Sequence, residues 1–177
     1  VRAEIDRNDE IGEAATAFNK MMETLSHLTY YDTRTGLPNR THLEDSFQIV
    51  LEHCQNNQEI FAVITMSLNQ YHDIIDALGH QVGDKLLSIV AEKLTTISPD
   101  LKIFSWVEAE FVLLLTEVDQ VTDIIKFINR LNLLTNRIWQ IDNQQLYIST
   151  SMGIAVYPEN GRDKESLLKN SSLALHN

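Results

Sequence analysis

Tyr31-Asp32-Thr33-Arg34-Thr35-Gly36-Leu37-Pro38-Asn39-Arg40 is the stretch on which the reading of this chain turns. Gly36 and Pro38 interrupt any regular element, and Asn39 or Thr41 is suited to cap a helix that follows to about Asn56. Upstream, from about Asn8 to Leu28, apolar or small residues fall at Ile11, Ala15, Phe18, Met22 and Leu25. Steps of four and three make the narrow seam of a coiled coil, with polar residues on the other faces. The ordinary alternative is a surface helix packed on its own domain; the narrowness of the seam favours a helix that pairs with a second copy. Asp9 and Glu10 carry the sign of charge that suits a helix N-terminus.

Downstream, Gln55-Asn56-Asn57-Gln58 reads as a polar turn, and Ile60 to Leu68 as a buried strand rich in β-branched residues. Helical spacing runs from Gln70 to Ala77, pauses at Gly79, and resumes from Asp84 to Leu94. Leu101 to Trp106 and Glu110 to Thr116 read as a hairpin with Val107-Glu108-Ala109 at its tip. Val121 to Trp139 predicts an amphipathic helix, Leu146 to Tyr157 a strand, and Asp163 the start of a last helix that runs to the end at Asn177. Helices mixed with hairpins predict an α/β fold around a mixed sheet.

The bulk properties narrow the partners. The chain has 177 residues, 44% hydrophobic and 22% charged, an ordinary globular composition. Its formal net charge of −11 argues against a nucleic-acid surface, which needs a basic footprint. The 14 Lys and Arg form no run, so no direct nucleic-acid contact is expected. Cys54 is the only cysteine, so no internal disulfide can form. It lies on a helix with no cation nearby to lower its pKa, and is expected to be inert. No stretch approaches the roughly 20 apolar residues of a membrane span.

Several segments in order resemble the GGDEF family, the diguanylate cyclases of bacterial signalling. Asp32 to Arg40 resembles the family's D-x-L-T-G-L-P-N-R opening, departing mainly at Arg34. Asp76-Ala77-Leu78-Gly79-His80-Gln81-Val82-Gly83-Asp84 resembles its N-D-x-x-G-H-x-x-G-D stretch. Ser149 to Ala155 with Tyr157-Pro158 resembles its S-x-G-I-A strand, and Leu167 to Leu175 its closing helix. Asp9-Glu10-Ile11-Gly12-Glu13 and Ala17-Phe18-Asn19-Lys20-Met21 resemble the end of a HAMP linker. The resemblance implies two parts, residues 1–28 as linker and signalling helix and residues 29–177 as the GGDEF domain. It implies the family's palm fold, a central, mainly antiparallel (mixed) five-stranded sheet flanked by helices, preceded by a coiled-coil helix.

The family's reaction joins two GTP molecules held by the two subunits of a dimer, with divalent metals clamping the phosphates. The resemblance places one metal carboxylate at Ser67 and another in the signature loop, which here reads Val107-Glu108-Ala109-Glu110-Phe111. A serine hydroxyl is a weak ligand for a hard cation, and Ala109 offers no oxygen from its side chain. Val107 and Glu108 stand where the family has glycines whose backbone approaches the triphosphate, and the Glu108 carboxylate would repel phosphate. His72 replaces a phosphate-contacting lysine and Ile75 a guanine-reading asparagine; Asp84 and Glu110 retain the family's residues. The family's product-inhibition motif, R-x-x-D, falls on Ser98-Pro99-Asp100-Leu101 and lacks its arginine.

Each feature has a plain reading. Asp84 and Glu110 are expected to be surface carboxylates before they are ligands, Asp84 being stabilising at a helix start regardless. His72 and His80 lack a partner cluster for a metal site; His80 is expected to be a structural contact, and Trp106 and Phe111 to anchor the loop. The reading implied is a catalytically inactive domain acting as a regulatory relay in cyclic di-GMP signalling, without metal or cofactor. Its parent would be an inner-membrane receptor with this part in the cytoplasm. Partners would be a second copy through the N-terminal helix and a following EAL-type domain or other signalling protein. The alternatives are a GTP-binding allosteric sensor, using Mg2+ and GTP through Asp84, and a residual diguanylate cyclase.

Overall fold

The computed structural model describes residues 10–98 and 101–177. The expectations placed on Asn8, Asp9, Pro99 and Asp100 lie outside the described residues. The elements run α1 (Glu10–Tyr30), α2 (Arg40–Asn57), β1 (Ile60–Leu68), α3 (Tyr71–Leu78), α4 (His80–Thr95), β2 (Leu101–Ser105) and β3 (Glu110–Val118). They continue α5 (Val121–Thr135), β4 (Arg137–Ile141), β5 (Gln144–Ile148), β6 (Thr150–Tyr157) and α6 (Lys164–Leu175).

β1 is central because both of its faces are apolar. Ala62, Ile64, Met66 and Leu68 join one core with α4, α5 and the β4–β5 hairpin. Phe61 and Val63 join a second core with Leu43, Phe47, Val50 and Leu51 of α2 and Leu167 of α6. A strand covered on both faces reads as one continuous apolar run, as this one does. Pairing is antiparallel throughout, in the order β2-β3-β1-β6. Thr65 continues the α6-facing side of β1, and its hydroxyl meets Ser171 of α6 at 2.8 Å in the interior. α6 can lie this close because Gly153 of β6 has no side chain: a Cβ there would stand 1.9 Å from the Ser171 carbonyl oxygen.

The fold is the expected α/β class, an antiparallel sheet flanked by helices, but the strand count differs from five in one mixed sheet. Among the described residues, four strands form the central sheet, and β4 and β5 make a separate two-stranded one. The predicted strand from Leu146 to Tyr157 breaks at Ser149, where the Thr150 amide donates to the Asn136 side chain at 2.6 Å instead of to a neighbouring strand. The predicted helix from Val121 to Trp139 ends at Thr135. Trp139 and Ile141 are buried and their neighbours exposed, a period of two that suits a strand covered on one face. Trp139 also donates its indole N–H to the Thr135 carbonyl, which α5 leaves free at its end.

Smaller differences have local causes. α2 absorbs most of the expected polar turn and stops at Gln58, whose left-handed backbone (φ 58°) lets its amide bond the Cys54 carbonyl. Asn39 is its N-cap, accepting from the His42 amide at 3.2 Å. α4 begins at His80, directly after the Gly79 bend, so Asp84 sits beyond the first turn and is not at a helix start. α6 closes at Leu175 and does not continue to Asn177; the His176 amide bonds back to the Ser172 carbonyl. In α1, Phe18, Met22 and Leu25 of the seam are half exposed, so this chain does not cover them itself.

Candidate functional site

The hairpin between β2 and β3 closes through a tight turn. The Glu110 amide donates to the Val107 carbonyl at 2.8 Å, and the Trp106 amide to the Glu110 carbonyl at 2.9 Å. Two aromatic residues anchor it to opposite sides of the sheet, as expected of them. Phe111 is buried in one core, and Trp106 packs against the other with the Arg40 guanidinium 4.7 Å above its ring. Glu108 occupies the first central position of the turn with φ +48°. That conformation favours Gly, Asn and Asp, because a longer side chain gains no local hydrogen bond to offset the crowding of its Cβ.

Glu108 is held from two directions. His72, at the second position of α3, brings Nε2 to 3.0 Å from its carboxylate; both side chains are largely exposed. Arg34 donates from Nη2 to the Glu108 carbonyl at 3.3 Å and lies 3.4 Å from the Asp32 carboxylate. Asp32 Oδ1 in turn accepts from the Arg34 and Thr35 amides and the Thr35 hydroxyl, which ties residues 32–35 into a compact loop. Beneath Arg34 lies Tyr71, a buried phenol. Burial first, then the charges of Asp84 and Glu108, push its hydroxyl above the usual range, while Arg34 works against the shift.

The remaining predicted residues are arranged as follows. Ser67, partly buried at the end of β1, pairs with Glu110 on β3 and with Ser151 on β6. Ala109 is buried, and its carbonyl accepts from the Leu68 amide at 3.1 Å. Glu110 is partly buried, with His176 at the end of α6 3.9 Å from its carboxylate. Asp84 is exposed on α4, while Ile75 packs toward Gly83, its Cγ1 2.8 Å from where a Cβ there would lie. His80 is exposed, and its side chain makes no hydrogen bond, ion pair or ring contact among the described residues. Cys54 is buried, and burial, then the Glu59 charge, raise its thiol pKa, which accords with inertness.

Residues 29–177 match the family model described as diguanylate cyclase, GGDEF domain, and residues 1–27 match the HAMP domain. The chain belongs to the GGDEF-domain family. It is 29% identical over 97% of its length to the cyclic di-GMP phosphodiesterase NbdA of Pseudomonas aeruginosa, of which it spans 22%. It is 31% identical over 92% of its length to the bifunctional diguanylate cyclase/cyclic di-GMP phosphodiesterase MucR of the same organism, of which it spans 24%. Among solved structures, a sensory box/GGDEF family protein of Caulobacter crescentus superposes with a TM-score of 0.78 at 28% identity, over 83% of this chain and 96% of that one. The GGDEF domain of TpbB from Pseudomonas aeruginosa gives a TM-score of 0.79 at 24% identity, over 82% of this chain and 86% of that one, a likeness of fold.

The divalent metal of the GGDEF family does not fit the residues present. Where β1 and β3 end together, the side chains offered are the Ser67 hydroxyl, the Ala109 methyl and a single carboxylate, Glu110. No group of three or more His, Cys, Asp or Glu among the described residues could hold a metal ion. A hard cation needs several anionic or carbonyl oxygens, more than the side chains at this end of the strands supply. The sequence reading missed a role for Arg34, Asp32 and Tyr71. One signal was available: Arg34 stands where the family pattern has leucine.

Proposed function

We propose that this chain is a catalytically inactive GGDEF domain that relays a signal from its HAMP segment within a cyclic di-GMP signalling protein. The observation that carries the reading is the turn itself. The side chain at its second metal position is the buried methyl of Ala109, Ser67 at the other metal position pairs across the strands with Glu110, and the exposed Glu108 carboxylate is engaged by His72. A negative, internally engaged side chain at that place opposes a triphosphate, and the neighbouring Arg34 guanidinium is already engaged by the Glu108 carbonyl and the Asp32 carboxylate.

The parent protein is read as a membrane-anchored receptor with this part in the cytoplasm, which rests on the HAMP match. Among the described residues no helix is long and apolar enough to cross a membrane. The exposed seam of α1 is read as the contact with a second copy in a parallel pair. An EAL-type domain is read as the downstream partner; the phosphodiesterase and bifunctional proteins it resembles are several times its length.

Calorimetric titration of GTP with magnesium into the purified chain tests the reading, together with an assay for cyclic di-GMP. No saturable heat at millimolar GTP and no product are expected. Product would overturn the reading in favour of a residual cyclase. Saturable binding without product, abolished by Asp84→Ala, would replace it with a GTP sensor.

A further inference from the structure

Three departures from the family pattern, far apart in the chain, meet at one residue. Arg34 comes from the loop after α1, His72 from α3 and Glu108 from the turn between β2 and β3. His72 takes the Glu108 carboxylate at 3.0 Å and Arg34 takes its carbonyl at 3.3 Å. Glu108 is also the residue whose backbone is unfavourable where it stands, at φ +48°. A non-glycine residue persists there only where its surroundings hold it, which makes the strained turn and the two side chains that engage it one device.

The loop that carries Arg34 is itself fastened to the end of α1. The Asn39 amide donates to the Tyr30 carbonyl at 2.8 Å, and the Asn39 side chain to the Thr29 carbonyl at 2.9 Å. Tyr31 bridges to Pro38, and the Asp32 amide donates to the Leu37 carbonyl at 2.8 Å. The same loop reaches β2, where the Ser105 amide donates to the Pro38 carbonyl at 2.8 Å. The end of α1, this loop and the turn therefore form a chain of direct hydrogen bonds.

We propose that Arg34 and His72 clamp Glu108 from two sides, so that residues 107–110 are held in their left-handed turn and move as one piece with the end of α1. The proposal deepens the relay reading and rests on it for its purpose: it names the physical route from the signalling helix to the motif loop. Arg34 acts through the backbone of the turn and His72 through a side chain. Removing either loosens the turn; a glycine at residue 108 makes the His72 contact dispensable and lessens the need for Arg34, because it accepts positive φ unaided.

Amide hydrogen exchange of the chain, read by NMR at Trp106 and Glu110, tests this, since both amides are hydrogen-bonded across the turn. Arg34→Leu should speed exchange at both amides by about threefold to tenfold, the effect of losing one exposed hydrogen bond of ordinary net strength. His72→Ala, at an exposed position where folding is not at risk, should speed it by about twofold to fivefold, as loss of an exposed ion pair allows. Val63 and Thr65 in β1 should be unchanged in both. In a Glu108→Gly background, His72→Ala should alter the turn no further, its partner carboxylate being gone, and the effect of Arg34→Leu should shrink, because glycine accepts the positive φ unaided. Rates at Trp106 and Glu110 that match the parent in both single variants would overturn the clamp. So would effects that persist undiminished in the Glu108→Gly background. The measurement needs no nucleotide, so formation of cyclic di-GMP would end the relay reading without altering these rates, and failure of the clamp would leave the GTP titration as it stands.

Discussion

Gly153→Ala tests the packing on which the edge of the site depends. A Cβ at Gly153 would lie 1.9 Å from the Ser171 carbonyl oxygen, 2.3 Å from the Leu175 amide nitrogen and 2.9 Å from the Ala174 carbonyl carbon. All three are backbone atoms of α6, so no side chain can rotate out of the way. Normal contact requires α6 to retreat by roughly 1.5 Å, given carbon–oxygen contacts of about 3.4 Å. That movement pulls the Ser171 hydroxyl from its 2.8 Å bond with buried Thr65. Overpacking costs about 1–3 kcal/mol, and an interior hydroxyl left unpaired costs about 1–3 kcal/mol. The expected loss is therefore about 2–6 kcal/mol, against a typical domain stability of about 5–15 kcal/mol. Urea unfolding followed by circular dichroism should show the midpoint fall by about 1–3 M if m is about 2 kcal/mol/M. Gly36→Ala is the control: its φ is +70° but nothing lies within 4 Å of the added Cβ. It should cost about 1 kcal/mol, from backbone conformation alone. A loss below about 1 kcal/mol for Gly153→Ala would show that α6 gives way freely, and the close-approach argument would fail.

Three further outcomes are expected. Asn39→Ala removes both the N-cap of α2 and a bond to the end of α1, so it should lower stability by about 1–2 kcal/mol in the same urea assay. Cys54 is buried with a raised thiol pKa, so Ellman's reagent should label it slowly at pH 8 and promptly in denaturant. Asp163 caps α6 by accepting from the Ser166 amide at 2.8 Å, and that bond holds its carboxyl below the usual carboxylate value. Its folded pKa is lowered, so its contribution is present above the unfolded value and is lost as pH falls through the folded one. Thermal melts between pH 6 and pH 2 should therefore show a smaller acid-induced drop in Asp163→Asn, which keeps a capping oxygen but does not titrate.

The elements most readily read from sequence were those whose signal is local. β1 announced itself as a continuous apolar run because both of its faces are covered. α2 announced its start through Asn39, whose side chain satisfies an amide that the helix leaves open. The end of α5 was misread because Ile138 and Trp139 extend a helical spacing of apolar residues. Only the pull of Trp139 into the core and its bond to the Thr135 carbonyl show where the helix stops. The break at Ser149 was hidden for a similar reason, since the side chain that takes the Thr150 amide belongs to Asn136, beyond the hairpin.

For the site, sequence alone determined which chemical groups are present: the Ser67 hydroxyl, the Ala109 methyl, the Val107 and Glu108 side chains and the His72 imidazole. Those identities decide what the site cannot coordinate, because a ligand atom missing from a side chain is missing in every conformation. Tertiary structure alone decided where the replacements point. It put His72 and Arg34 on the same glutamate, Tyr71 beneath them and His176 beside Glu110. These contacts join residues far apart in the chain, and their distances depend on how the sheet and helices pack around β1, which no local pattern encodes.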